Sequence, residues 1–346
     1  MKIEIISTSS TDIRRSVDHL KQDGLIGFPT ETVYGLGARA DHAQAVSKIF
    51  QLKGRPSNHP LIIHIPPAQN NDELSWLTQL TPWARDVPPQ ALQLALAFWP
   101  GPLTMILNKA KGVIDEVTGG NQTVGLRCPD QPTAIDILKQ LGTGIAAPSA
   151  NRFGKISPTN AQHVLDEFTP VNHLFSSAFD VLIVDSGSCE IGIESTIIDL
   201  SNIEQSGIRI LRPGMITTQD IQDRTGLVIG QAIDNPIAHS GSHLAHYAPM
   251  TPLEIEEIPL NQMLFSPNEK SIWLSMMDED MVTDAVIEVH QLPSNSRDLA
   301  KAIYGLLRKI DQMNYDKIYV RALPKDSIWD AIRDRLQRAA TGSGNS

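Results

Sequence analysis

The stretch Phe28-Pro29-Thr30-Glu31-Thr32-Val33-Tyr34-Gly35-Leu36-Gly37 concentrates chemistry in one place. Two threonine hydroxyls, a carboxylate and two glycines leave an apolar run together. Such a loop offers hydroxyl and backbone donors where glycine lets a ligand come close. The same residues also read as a plain strand-to-loop turn with Thr30 or Thr32 as a local cap. The spacing is not that of a standard glycine-rich phosphate loop.

Lys53-Gly54-Arg55-Pro56-Ser57-Asn58-His59-Pro60 presents two cations on a turn shaped by glycine and proline. A guanidinium suits bidentate phosphate contact, and an ammonium supplies a compact charge. A helix C-terminus decorated with favourable cations has the same composition. Thr123-Val124-Gly125-Leu126-Arg127 ends a strand on an arginine, which is either a surface charge or a carboxylate binder near a pocket. Ala147-Pro148-Ser149-Ala150-Asn151 puts Ser149 and Asn151 just past a strand's C-terminal end, where α/β sheets bind ligands. Trp99-Pro100-Gly101-Pro102-Leu103-Thr104 reads as an architectural turn into a strand. Glu194-Ser195-Thr196 opens a strand, and Arg212-Pro213-Gly214 closes one.

Several chemistries have no residues to carry them. No nucleophile elbow, Walker loop or H-E-x-x-H motif occurs. His239, His243 and His246 lie close in sequence, but no acidic or cysteine partner completes a zinc set. The two cysteines, Cys128 and Cys189, can build neither a disulfide framework nor a four-cysteine site, and both read as small buried apolar residues in a reducing setting.

The elements that must position these residues follow from periodicity. Short apolar runs alternate with helical patterns through the first ~230 residues, which predicts an α/β fold. Strands are expected at 1–6, 25–28, 61–65, 103–107, 124–127, 144–147, 181–184, 195–199 and 208–211. A helix is expected over 11–23 with Gly24 as its C-cap, and another from an Asp41 cap to Gly54. Thr159 is expected to cap a helix, and Thr217 to begin one that ends near Gly226. From 230 to 252 the pattern lapses into Gly, Ser, His, Pro and Ala, as in a linker or docking loop. A second α/β unit follows, with strands at 271–274, 286–289 and 317–320 and helices at 296–310 and 327–340. The helix at 296–310 should bury Leu299, Ile303, Leu306 and Ile310. The tail, 342–346, should be disordered.

The chain has 346 residues, 41% of them hydrophobic and 20% charged, an ordinary balance for a globular protein of two domains. No apolar run approaches the ~18–20 residues of a membrane span, and the N-terminus lacks a signal-peptide pattern. With only two cysteines, a reducing cytoplasm is the simplest setting to expect. The net charge of −10 is spread over both parts of the chain, which argues against a broad phosphate-tracking face. A local basic pocket remains compatible with it.

Taken in order, the 29–37 loop, Lys53-Gly54-Arg55-Pro56, Pro60-Leu61-Ile62-Ile63-His64, Phe98-Trp99-Pro100-Gly101-Pro102-Leu103-Thr104, Val124-Gly125-Leu126-Arg127, Ala147-Pro148-Ser149-Ala150-Asn151, Gly192-Ile193-Glu194-Ser195-Thr196 and Leu211-Arg212-Pro213-Gly214 resemble the YrdC-like family. His246-Tyr247-Ala248-Pro249 and the second unit are similar to its long, two-domain form, which makes threonylcarbamoyl-adenylate. The resemblance implies a large twisted mixed-sheet domain over 1–229, a linker and active-site lid over 230–252, and a smaller Rossmann-like α/β domain over 253–341.

The resemblance also implies a reaction. Threonine's amine takes up bicarbonate as a carbamate, whose oxygen attacks the α-phosphate of ATP and expels pyrophosphate. The product serves the modification of an adenosine in tRNA. On this reading Lys53, Arg55, Ser149 and Asn151 hold the triphosphate and are the catalytic set. His59, Thr123, Ser157, Arg212 and Tyr247 complete the nucleotide site. Thr32, His64, Arg127, the backbone at Ala147, and Ser195 grip threonine. Mg²⁺ is expected on the phosphates, with no tightly bound protein metal. Transient contact with the downstream tRNA threonylcarbamoyl transferase, and binding of tRNA itself, stay open. No membrane partner is expected.

The chemistry is compatible with the residue list, because attack at an α-phosphate needs alignment and charge neutralisation rather than a protein nucleophile. One departure stands out. Many relatives carry a cation just before the His-Tyr pair, and here that position is Ala245. With two cysteines the chain cannot be one of the family's zinc-bearing hydrogenase-maturation relatives. Two other readings compete: an RNA-binding module, disfavoured by the acidic balance, and a regulatory binder of ATP or threonine without turnover.

Overall fold

Leu25-Ile26-Gly27-Phe28 and Val181-Leu182-Ile183-Val184 are buried at every position, as strands covered on both faces must be. They lie side by side and parallel. The computed structural model describes residues 1–175, 180–230, 245–263, 265–266, 268–277 and 287–344. Two units emerge from it. The first comprises Met1–Phe153, Pro158–Glu190 and 194–230; the second comprises Gly154–Ser157, Ile191–Ile193 and the described residues from 245 onward.

In the first unit the strands are β1 (Ile3–Ile6), β2 (Leu25–Phe28), β3 (Gly35–Arg39), β4 (Ile62–His64), β5 (Leu103–Asn108), β6 (Thr123–Arg127), β7 (Ile145–Ala147), β8 (Val181–Val184), β9 (Thr196–Asp199) and β10 (Arg209–Arg212). Among the described residues they form one mixed sheet in the order β1-β8-β2-β3-β7-β4-β6-β5-β9-β10. The helices are α1 (Ser10–Lys21), α2 (Ala43–Lys53), α3 (Glu73–Leu80), α4 (Pro89–Phe98), α5 (Asp115–Thr118), α6 (Pro132–Leu141), α7 (Ala161–Phe168), α8 (Ile203–Ser206) and α9 (Thr218–Thr225).

One sheet face is the main core. Ala38, Ala146, Ile63, Leu126, Met105 and Ile198 stand in register across it. Helices α2, α4, α7 and α9 cover them with Val46, Ile49, Leu94, Val164, Phe168 and Ile221. The opposite face is divided. Over β2, β7 and β8 it is sealed by Ile13, Val17 and Leu20 of α1 and Ile137 and Leu138 of α6. Over β4, β5 and β9 it is a small apolar patch, Ile62, Ile106 and Ile197 with Leu211 beside it, built from strands alone. That patch is the floor on which the site's polar residues stand.

In the second unit β11 (Leu253–Glu256), β12 (Ser271–Ser275), β13 (Ile287–Gln291) and β14 (Lys317–Arg321) pair in parallel in the order β11-β14-β12-β13. Two helices, α10 (Ser296–Asp311) and α11 (Asp330–Gly342), accompany them. The α/β class, the large mixed sheet and the smaller parallel-sheet unit are as the sequence predicts.

Local differences have local causes. Helix α1 ends on Gln22, and Asp23 rather than Gly24 takes the left-handed position, at φ 62°. A Cβ on Gly24 would lie 2.3 Å from the His19 ring, so that half-buried side chain would have to move aside. Asp41 does not cap α2; it pairs with Arg39 at 2.7 Å, and His42 takes the cap position. Asn160, one residue past Thr159, caps α7. Strands β3 and β11 were not read from the sequence. The helix expected over 327–340 opens with a 3₁₀ turn, Ser327–Trp329. In α10, Leu307 is buried and Leu306 only half-buried. Of the expected linker, 231–244, with His239 and His243, lies outside the described residues, as do Val286 and the last two residues of the tail.

Candidate active site

Helix α2 runs out at Lys53 because Gly54 adopts φ 62°, a left-handed C-cap that turns the chain back. The turn leaves Lys53 buried, with Nζ donating to the carbonyl of Ser149 at 2.6 Å and to that of Asn151. Phe153 N–H donates back to the Lys53 carbonyl at 2.9 Å. From the other side, Leu36 N–H donates to Pro148 and Ala150 N–H to Tyr34, at 2.9 and 2.8 Å. The loop that leaves β7 is thus stitched between the 34–36 segment and the end of α2. Lys53, Ser149 and Asn151 come together there.

Arg55 is buried beside them, donates through Nη2 to the Pro60 carbonyl at 3.1 Å, and lies 5.8 Å from the Phe153 ring centroid. His59 meets the same ring edge-on at 5.4 Å. Burial holds the Lys53 amine well below the usual lysine range, and the neighbouring Arg55 charge pushes the same way. The neighbourhood therefore favours an anion.

The second cluster stands around the apolar floor. Strand alternation puts Ile62 and His64 on this face from β4, Thr123, Gly125 and Arg127 from β6, and Thr104 and Ile106 from β5. Gly125 pairs with Ile62 and Ile106 on its two sides, and a Cβ added to it would sit 3.5 and 3.2 Å from their respective side chains. His64 pairs with Arg127. Its ring meets Phe28 edge-on at 5.5 Å, and burial, with Arg127 adding to it, lowers its pKa to about 3. The imidazole is neutral at working pH.

Arg127 is not a surface charge. Its Nη2 lies 2.7 Å from Glu31 Oε1, with both side chains over nine-tenths buried. Its Nε is buried and has no hydrogen-bond partner among the described residues. Ser195 Oγ lies 2.8 Å from Thr104 Oγ1, while Arg212 donates to the Ser195 carbonyl and hydroxyl, both at 3.1 Å. The 212–214 turn comes so close to β9 that a Cβ on Gly214 would fall 2.3 Å from Thr196 N. Thr32 is fully buried, its hydroxyl 2.8 Å from that of Thr30.

The floor has two ends. Thr123 and Arg127 are the ends of β6, roughly 13 Å apart at ~3.3 Å per residue. Ile62 lies in register with both Gly125 and Ala147, and β7 runs antiparallel to β4. Ser149 therefore follows Ala147 toward the Thr123 end, and His64 stands at the Arg127 end. Ser157 and Tyr247 belong to the second unit. There Tyr247 holds φ 62°, stacks on Tyr304 at 5.7 Å and lies 5.2 Å from the Arg335 guanidinium. Ala245 sits where a Cβ on Gly342 would come within 3.2 Å, so small residues pack against each other at that point.

Glu31 and Thr104 join the site although neither was assigned a role from the sequence. Thr104 reads as architectural because its meeting with Ser195 depends on the β5–β9 pairing. The one available signal for Glu31 is an acidic side chain inside an otherwise neutral loop. Glu31 also lines a 290 Å³ pocket with Asp130, Glu190, Ser186 and Ser188. Burial and the Glu31 and Glu190 charges raise the Asp130 pKa. That acidic pocket repels phosphate. Among the described residues no group of three His, Cys, Asp or Glu side chains is placed to hold a metal ion, and no helix is long and apolar enough to cross a membrane. Cys128 and Cys189 are buried, and burial raises both thiols, that of Cys189 to about 12.

Comparison with known proteins covers nearly the whole chain. The Sua5/YciO/YrdC family model, described as "Telomere recombination", matches residues 18–214, and the model for the threonylcarbamoyl-AMP synthase C-terminal domain matches 203–341. A threonylcarbamoyl-AMP synthase of Pyrococcus abyssi is 34% identical over 95% of this chain and 94% of its own length. One of Bacillus subtilis is 35% identical over 97% and 95%. The crystal structure of the P. abyssi Sua5 protein complexed with L-threonine superposes with a TM-score of 0.82 at 31% identity, over 99% of this chain and 98% of that one.

Proposed function

We propose a division of labour for this chain, which belongs to the two-domain threonylcarbamoyl-AMP synthases of the Sua5/YciO/YrdC family. The enzyme makes threonylcarbamoyl-AMP and pyrophosphate from L-threonine, bicarbonate and ATP, for the threonylcarbamoyladenosine modification of tRNA. In our reading the Thr123 end of the floor takes the nucleotide and the Arg127 end takes threonine. The observation that carries the phosphate end is the buried Lys53 and Arg55 beside Ser149 and Asn151. A triphosphate arriving there restores full charge to the lysine. His59, Thr123, Ser157, Arg212 and Tyr247 complete the nucleotide site.

At the other end the unsatisfied Arg127 Nε offers itself to the threonine carboxylate. Neutral His64 gives or takes a hydrogen bond without adding charge. Ser195, the Thr32 hydroxyl and the backbone at Ala147 meet the remaining polar groups, so an analogue lacking threonine's hydroxyl leaves buried groups unpaired. Gly125, midway along β6, lets the reacting carbamate and α-phosphate lie close over the sheet. No side chain need act as a nucleophile; the residues align two weak partners and neutralise charge.

Mg²⁺ enters this reading as a companion of the phosphates, since Mg²⁺ is held largely by phosphate and water in such sites. A cytoplasmic location and transient contact with the transferase that consumes the product belong to the same reading. Lys53→Ala and Arg55→Ala are each expected to lower ATP-dependent product formation by about 100-fold at sub-saturating ATP, with circular dichroism unchanged. Full activity in either variant would remove the triphosphate assignment.

A further inference from the structure

The Glu31–Arg127 pair is buried on both sides, and its closest approach is Nη2 to Oε1 at 2.7 Å. A buried pair of this kind adds little net stability, because desolvating both ions offsets their attraction. What it fixes is direction. The carboxylate draws the Nη2 side of the guanidinium toward itself by charge, while Nε, Nη2 and both Glu31 oxygens keep hydrogen-bonding capacity unfilled among the described residues. Glu31 is itself held. It sits in a turn where the Thr30 hydroxyl donates to the Val33 carbonyl at 2.6 Å and accepts from the Val33 and Thr32 amides, both at 3.2 Å. His64, in register with Arg127, is neutral and so does not compete for Glu31.

We infer that Glu31 is the positioning residue for substrate threonine: braced by Thr30, it aims the Arg127 guanidinium so that its free edge receives the threonine carboxylate. The inference rests on the reading that Arg127 grips that carboxylate. Glu31 touches no substrate atom. It keeps Arg127 from swinging toward the acidic pocket formed with Asp130 and Glu190, where the guanidinium would find carboxylates of its own. Losing Glu31 would leave the charge of Arg127 in place but its direction unset, so the loss should fall on threonine and not on ATP.

Steady-state kinetics with each substrate varied in turn, on the full chain, distinguish this from a merely structural role. Glu31→Gln should raise KM for threonine by about tenfold or more, while KM for ATP changes by less than about threefold. Glu31→Asp, which keeps the charge and tests the same contact if the glutamine variant does not fold, should recover most of the threonine affinity. In an Arg127→Lys background, Glu31→Gln should add less than about twofold, because the two residues act as one unit. A threonine KM unchanged in Glu31→Gln but strongly raised in Arg127→Lys would overturn the positioning role alone. Equal losses for ATP and threonine would also overturn it. An unchanged threonine KM in Arg127→Lys would overturn the underlying assignment of Arg127 as well.

Discussion

Lys53 and His64 are both buried bases whose pKa values fall for the same first reason, desolvation of the charged form. Their surroundings set different ends. Lys53 is ringed by carbonyls and stands beside Arg55, so its ammonium gains from an arriving polyanion. His64, with its pKa lowered to about 3, stays neutral through the physiological range, so threonine binding should show no step near pH 6.5. Folding should respond instead. The unfolded chain protonates this histidine near pH 6.5 and the folded chain does not, so the contribution is present above pH 6.5 and lost as pH falls toward 3. Urea unfolding between pH 7 and 5 should lose stability faster in the wild type than in His64→Gln; equal slopes would contradict the assigned environment. At this scale the residues proposed for the phosphate end could be picked out as a group, because Lys53-Gly54-Arg55-Pro56 and Pro148-Ser149-Ala150-Asn151 carry turn signals within a few residues. The Glu31–Arg127 and Thr104–Ser195 meetings were not, because each depends on strands far apart in sequence.

Secondary-structure elements place these residues by pairing that no local pattern encodes. Strand β3 is Gly35-Leu36-Gly37-Ala38-Arg39, poor in β-branched and aromatic residues, and it passes for loop in the sequence. Its glycines serve packing. A Cβ on Gly37 would lie 2.7 Å from Ile145 Cγ2 and 2.9 Å from the Phe28 ring. Gly37→Ala should therefore destabilise the first unit by about 1–3 kcal/mol, as overpacking does. A denaturation midpoint equal to that of the wild type would show that the sheet yields more easily than the geometry indicates. The strongly apolar strands were read correctly because burial on both faces leaves continuous runs, as in β2 and β8. The helix caps went astray by a residue where Asp23, His42 and Asn160 took positions that neighbouring residues could equally fill.

The whole molecule comprises a unit built on a large mixed sheet and a smaller parallel-sheet unit. Tyr247 is held within the second unit by Tyr304 and Arg335 and by a left-handed backbone that a tyrosine adopts only under constraint. Ending the chain at residue 229 removes that support, so turnover should fall by at least about tenfold even where the first unit folds. Undiminished turnover would sink the role given to Tyr247. The two-unit plan was legible from the lapse of pattern after 230. The inclusion of Gly154–Ser157 and Ile191–Ile193 in the second unit was not, because no composition change marks them.

The central claim is a three-substrate reaction, and its product tests it most directly. The full chain should be incubated with ATP, Mg²⁺, bicarbonate and L-threonine, with pyrophosphate measured and the adenylate sought by mass spectrometry. Pyrophosphate and threonylcarbamoyl-AMP should appear together, only when all three substrates are present, and far more weakly with serine in place of threonine. Pyrophosphate release that ignores threonine or bicarbonate, or no adenylate under these conditions, would contradict the account.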